Sequence, residues 1–154
     1  MKFENKVVIV TGASSGIGEG VAKMFLEEGA RLVAAALSRY EDRKREGHLR
    51  SGRPDRPRPG PERGGQGCGG LWQVDKLVCC AGVTFIGSLE NTEYNTFMRE
   101  ISINLGGVFN MCKAAVKELV KSEDPSIVTI GSDLGVRPIP ERIGYCPSKL
   151  ASLC

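Results

Sequence analysis

An α/β fold with a parallel, doubly wound sheet is what this sequence predicts, and three observations predict it. Residues 6–11 form a short, β-branched apolar run, the pattern of a strand buried on both faces. A glycine-rich turn follows, and then Ile17, Val21, Met24 and Phe25 recur at helical spacing until Gly29. Residues 31–37 read as a second buried strand behind the Gly29-Ala30 turn. Strand, helix and strand in that order make one right-handed crossover unit.

The first turn carries the chemistry. It aims backbone N–H groups and a helix start at one spot, which suits an anionic phosphate. Glycine is needed there because a side chain would hold the backbone away from a pyrophosphate. Gly12, Ser14, Ser15, Gly16, Ile17 and Gly18 are therefore the candidate phosphate-binding residues. Taken alone, such a glycine spacing is as well explained by an ordinary loop.

Beyond residue 37 the character of the chain changes. From Ala34 to Gln73 there is no valine, isoleucine or phenylalanine after Val33, and residues 50–61 hold four prolines and four arginines. Residues 64–70 add five glycines. Such a stretch buries too little apolar surface to offset its ordering entropy, so residues 38–73 are expected to be disordered. They also carry the charge: nine Lys/Arg against five Asp/Glu, with twelve against thirteen in the rest of the chain. The net charge of +3 is thus the property of one segment and no sign of a nucleic-acid surface, since no aromatic residues interleave the arginines of residues 43–63.

Order returns at Val74. Residues 76–80 read as a strand neighbouring the first on its other side, ending in Cys80-Ala81-Gly82. Cys79 and Cys80 fall on opposite faces of it, which argues against a redox pair. Thr92 is the expected N-cap of a helix carrying Tyr94, Phe97, Met98 and Ile101. After Asn104, the stripe Val108, Met111, Cys112, Ala115, Val116 and Leu119 marks the core face of a further helix. Residues 126–131 form the next strand, with Ser132 at the sheet edge where open parallel sheets bind ligands. Tyr145 and Lys149, four apart, share a helix face.

Composition excludes some classes. No apolar run approaches the ~20 residues of a membrane span, and the N-terminus does not read as a signal peptide. The six cysteines form no metal-ligating Cys-x-x-Cys pair, so no metal is expected and reduced thiols in a cytoplasmic protein are.

Thr11-Gly12-Ala13-Ser14-Ser15-Gly16-Ile17-Gly18 with Tyr145-Cys146-Pro147-Ser148-Lys149 and the preceding Ser132 resembles the short-chain dehydrogenase/reductase family, over about residues 6–37 and 74–154. The resemblance implies a Rossmann-type sheet and an NAD(P)-dependent exchange of hydride between an alcohol and a carbonyl. It implies roles for Asn104, Ser132, Tyr145 and Lys149 in catalysis, with Tyr145 as acid/base and Asn104 in a water-linked proton relay. A neighbouring ammonium favours the phenolate form of a tyrosine, and a serine hydroxyl can hold the substrate oxygen. Ala81 and Gly82 would lie close to the cofactor, Tyr145 and Lys149 beside its nicotinamide ribose. Arg39, with no carboxylate at the end of the second strand, leans towards NADP over NAD. Cys79-Cys80 replaces the family's usual asparagine pair, and Asp133 departs from the small or apolar residue usual after the serine.

The resemblance also bears on the organisation of the chain. Gly12 and Gly82 are 70 positions apart, close to the family spacing, although the composition between them has changed. A middle segment read out of frame is favoured over an inserted basic tether. The chain stops nine residues after Tyr145, whereas the resemblance implies further strands, so an incomplete sheet with a doubtful third strand is expected. The partner expected is a small-molecule alcohol or carbonyl, with no nucleic acid and no membrane, and full-length relatives would be homo-oligomers. The alternative is a truncated, catalytically silent chain that at most binds nucleotide or associates with relatives.

Overall fold

The computed structural model describes residues 1–35 and 73–152. Its first half runs through β1 (Val7–Thr11), α1 (Gly16–Glu27), β2 (Arg31–Ala35) and β3 (Lys76–Cys79). Next come α2 (Tyr94–Ile101), a π-helical turn (Ser102–Gly106) and α3 (Gly107–Leu119). The chain continues with β4 (Ser126–Thr129), α4 (Asp133–Val136) and α5 (Tyr145–Ala151). The strands lie in the order β2-β1-β3-β4 and every pairing is parallel. This is a Rossmann-type, doubly wound sheet.

Strand alternation explains why helices cover both faces. Val8 and Val10 of β1 and Val78 of β3 join Ala22, Val21 and Phe25 of α1 in one core. Ile9, Leu77 and Cys79 point the other way, into a second core with Val108, Met111, Ala115 and Leu119 of α3. Cys80 packs against the first core and Cys79 within the second, so the two thiols do face opposite layers. Residue Gly29, at φ +88°, closes α1. Its N–H donates to the Leu26 carbonyl at 3.1 Å and that of Ala30 to Phe25 at 2.9 Å, the paired closure that a left-handed residue permits.

Several local expectations differ from the structure. Ile17 and Met24 are 64% and 66% exposed, so only Val21 and Phe25 of the expected stripe face the core; Ala22, a residue without an amphipathic signature, is the buried one. In α3, Val116 is exposed while the rest of its stripe packs inward. The N-cap of α2 is Glu93, not Thr92, and Thr92 instead turns its hydroxyl into the protein without a partner. The strand β4 ends at Thr129 rather than residue 131, and β2, expected to be buried, is exposed or half-buried along its length because it flanks the described sheet. The stretch 38–73 with Arg39, and the expectations of disorder and of a doubtful third strand there, lie outside the described residues except for Gln73. That side chain reaches the fold, its amide donating to Asp75 Oδ1 at 3.3 Å.

Asp75, 3% exposed, ties the N-terminal ends of the strands together. Its carboxylate accepts from the Val7 N–H at 2.8 Å and from the Ser122 hydroxyl at 2.5 Å, with the Lys6 ammonium 3.7 Å away. Its own N–H donates to Val7 O, and its carbonyl accepts from Ser126 N–H. One residue thus touches β1, β4 and the end of the α3 connection. Burial alone would raise its pKa, but the Ser122 and Val7 hydrogen bonds and the Lys6 charge outweigh burial and hold it below the usual carboxylate range. A depressed value means that Asp75 stabilises the fold at neutral pH and that this contribution fades as pH falls through the folded value. Asp75→Ala should cost roughly 2–3 kcal/mol at pH 7, because two buried donors lose their acceptor. Urea unfolding should show the gap to wild type narrowing in acid; a gap independent of pH would mean that Asp75 acts by packing alone.

Candidate active site

Because the four strands among the described residues run parallel, Thr11, Ala35, Cys79 and Thr129 end at one edge of the sheet, and the candidate residues gather there. The three glycines of the first turn have different tasks. Gly12 has φ +68°, and a Cβ on it would lie 2.9 Å from the Ala81 backbone. A Cβ on Gly18 would strike the carbonyl group of Gly12, 2.7 Å from its carbon. These two glycines let the turn, α1 and the end of β3 close on one another. Gly16, at φ +56°, has nothing within 4 Å of where a Cβ would stand. Its open side, with Ser15 and Ile17 also exposed, faces outwards. Ser15 is the N-cap of α1 but makes no side-chain bond to it, leaving the first-turn N–H groups without a side-chain acceptor. A pyrophosphate fits this cradle, which a side chain at position 16 would fill.

Thr11 fixes the far wall. Its hydroxyl oxygen accepts from the N–H groups of both Cys80 and Ala81 at 3.1 Å. Gly82 follows, and here the reason for glycine is internal: a Cβ would lie 3.3 Å from Asn104 Oδ1 and 3.6 Å from Lys149 Nζ.

Asn104 stands in the π-helical turn, 1% exposed. Such turns add a residue to a helix and often mark functional sites. Its Oδ1 accepts from Val83 N–H at 2.8 Å. Its Nδ2 donates to Val83 O at 2.9 Å and to Ser148 Oγ at 3.0 Å. Ser148, fully buried, donates in turn to Tyr145 O at 2.7 Å. The asparagine side chain therefore locks the loop after β3 to α5, and three of its four hydrogen-bonding sites serve that task.

Lys149 is 6% exposed and donates to Ile130 O at 2.8 Å. Its Nζ lies 5.8 Å from the centre of the Tyr145 ring. Burial lowers the Lys149 pKa, while the neighbouring Cys80 sulfur works in the opposite sense. Cys80 itself is pushed up by burial, with Lys149 countering. Ser132 caps α4, its Oγ accepting from Leu134 N–H at 3.2 Å. Gly135 packs α4 on α5, since a Cβ there would lie 3.0 Å from Leu150 N.

The structure thus ties Asn104 to the Tyr145 backbone through Ser148 and holds Lys149 on the Ile130 carbonyl with its Nζ near the Tyr145 ring. Ser132 sits two residues beyond Ile130, and no hydrogen bond among the described residues links it to Tyr145. The supports Thr11, Ser148, Val83 and Ile130 escaped sequence reasoning. Thr11 and Ser148 lie inside quoted motifs and could have been found there; Val83 and Ile130 act through backbone and leave no sequence signal. A cleft of about 380 Å³ beside the start of α5 is lined by Leu89, Ile139, Cys146 and Pro147 and by none of the four candidates. No group of three or more His, Cys, Asp or Glu that could hold a metal occurs among the described residues.

The profile of the short chain dehydrogenase family matches residues 6–51 and 69–153. The chain belongs to the short-chain dehydrogenase family. An oxidoreductase of Thermotoga maritima is 31% identical over 160 residues, an alignment covering 99% of this chain and 64% of that protein. Among solved structures, the ligand-free aldohexose dehydrogenase of Thermoplasma acidophilum gives a TM-score of 0.74 at 27% identity, covering 97% of this chain and 58% of the other. A short chain dehydrogenase of Shigella flexneri 2a in complex with NADP shares the fold at a TM-score of 0.74 and 19% identity, covering 98% and 69%. This member of the family spans about two thirds or less of the relatives' length.

The division of labour among the glycines is testable. Gly16→Val should abolish dinucleotide binding measured by calorimetry, at a stability cost of about 1–2 kcal/mol because residue 16 stands at φ +56°. Gly18→Ala should cost more stability than Gly16→Ala, roughly 1–3 kcal/mol, although alanine is the better helix former, because its methyl meets fixed backbone. Equal thermal midpoints for the two alanine variants would contradict this assignment.

Proposed function

We propose that the chain is an NAD(P)-dependent oxidoreductase that interconverts an alcohol and a carbonyl, with Tyr145 as the acid/base. One observation carries this reading: Lys149 and Asn104 are locked beside Tyr145 at the same sheet edge as the open Gly16 turn. NAD(P) held there would supply the hydride chemistry. Gly12, Ser14, Ser15, Gly16, Ile17 and Gly18 hold the pyrophosphate, and Ala81 and Gly82 line the neighbouring ribose. Tyr145 exchanges the proton with the substrate oxygen, and the Lys149 ammonium stabilises negative charge on the phenol oxygen by Coulomb attraction. Ser132 holds the substrate oxygen. Asn104 acts as a positioning residue: three of its four hydrogen-bonding sites are committed to Val83 and Ser148, which leaves one lone pair on Oδ1 for a relay water. NADP is favoured over NAD by Arg39, which follows the second strand with no carboxylate before it. A cytoplasmic location fits the free thiols Cys79, Cys80, Cys112 and Cys146.

A second reading, a chain that binds nucleotide without turnover, is favoured by the flank of β4. Ile127 and Val128 there are about half exposed, on a strand without a further neighbour among the described residues. Tyr145→Phe decides between them. On the first reading it should leave NADP affinity within about twofold and reduce turnover by at least 100-fold, since general acid/base catalysis contributes that much. NADP binding with no turnover in the wild-type chain would establish the second reading. Turnover that survives Tyr145→Phe would assign the proton to another group.

A further inference from the structure

A buried carboxyl group beside the start of α5 has no part in the hydride-transfer reading. It belongs to Glu100, in the last turn of α2, which is 1% exposed. Resting on that reading, we propose that Glu100 is a positioning residue: it sets Tyr145 by clamping the loop after β3 against the residue that precedes the tyrosine.

The two oxygens of Glu100 hold different elements. Oε1 accepts from the Phe85 N–H at 2.8 Å. Oε2 lies against Gly144, where a Cβ would strike it and would stand 3.1 Å from Cδ. Gly144 has φ −91° and ψ −37°, a conformation open to any residue, so glycine serves there to make room for the carboxyl group. Glu100 and Asn104 are four residues apart, and they take the N–H groups of Phe85 and Val83, two residues apart. Four helical residues rise about 6 Å and two extended residues cover about 6.6 Å, so the pair of acceptors fits alternate N–H groups of one segment. The same loop meets the approach to α5 again, where the Gly87 N–H donates to Glu141 O at 3.0 Å. Glu100 thus holds the start of α5 directly at Gly144 and indirectly through Phe85.

A carboxyl group sunk this far is costly, and Glu100 forms no ion pair among the described residues. An apolar side chain would fill the space without that cost, but it would leave the Phe85 N–H without its acceptor. What the carboxyl group adds is placement, because Tyr145 follows Gly144 directly and opens α5. A displacement of about 1 Å at a reacting group lowers rates by about 100-fold. A clamp one residue away therefore bears on turnover, while cofactor binding rests on the distant turn after β1. Glutamine keeps the acceptor for Phe85 and the bulk against Gly144, so Glu100→Gln separates placement from charge.

The test compares Glu100→Gln, Glu100→Ala and Gly144→Ala in the full chain. NADP affinity is read by calorimetry, NADP reduction with propan-2-ol, cyclohexanol and glycerol, and the tyrosine rings by NMR with isotope-labelled tyrosine. Glu100→Ala and Gly144→Ala should each lower kcat about 10–100-fold with NADP affinity within about twofold, and Glu100→Gln should stay within about threefold of wild type. Added to Glu100→Ala, Gly144→Ala should cost little more, since its methyl enters vacated space; additive losses overturn the proposal. The Tyr145 ring resonance, assigned with Tyr145→Phe, should move in both alanine variants and return in Glu100→Gln, while that of Tyr94, on the same α2, stays. Should Glu100→Ala fail to fold, Gly144→Ala, which removes no hydrogen bond, carries both readouts. Neither kcat nor the Tyr145 resonance responding to Gly144→Ala overturns the proposal. A wild type that binds NADP and turns over none of the alcohols sinks the hydride-transfer reading, and the tyrosine resonances still decide the role of Glu100.

Discussion

The site depends on one constraint: Asn104 has to satisfy an entire amide group inside the protein. Buried side-chain amides are costly unless their donors and acceptors find partners, and this one finds three, on Val83 and Ser148. Meeting that demand fixes the loop after β3 against α5. It also explains the π-helical turn, whose extra residue aims position 104 inwards between α2 and α3. With α5 held at its first turn, Lys149 is left with the carbonyl of Ile130, and its chain runs past Tyr145. The placement of a tyrosine and a lysine that carry the chemistry thus follows from an asparagine whose side chain is mostly spent on architecture.

Much of this was legible in the sequence, and the reasons differ by element. The β1 run and the α3 stripe are dense enough in apolar residues that burial is their natural state, and they form the two cores as expected. Alternation alone placed Cys79 and Cys80 on opposite faces. Ile17 and Met24 were misjudged for a physical reason. Periodicity says which residues share a helix face, but the width of the covered stripe depends on the neighbouring layer. The glycine turn could be located but not resolved into its parts. That Gly12 and Gly18 serve close packing and Gly16 serves open space depends on where Ala81 and the Gly12 carbonyl lie. Thr92 shows the limit of capping rules: one residue's shift hands the cap to Glu93 and leaves a hydroxyl turned inwards.

The two ends of the sheet divide the work. At the N-terminal ends of the strands Asp75 gathers backbone, hydroxyl and ammonium donors, and its charge is fully engaged. At the C-terminal ends the charges are less completely engaged: Lys149 has one carbonyl acceptor, and Asp133 lies exposed at the start of α4. Saturated polar networks rigidify, whereas groups with spare capacity can answer a ligand. The contrast separates a foundation from a working edge.

Gly82 carries a consequence for how this site can change over time. Its missing side chain leaves room that Asn104 and Lys149 fill from two sides, 3.3 and 3.6 Å from where a methyl would stand. The three positions therefore form an epistatic unit. A methyl at 82 stands a few tenths of an ångström too close to Asn104 Oδ1 and at ordinary contact distance from Lys149, so its effect turns on whether the asparagine can shift. The order of substitution, rather than their number, decides which descendants of this sequence keep an intact site.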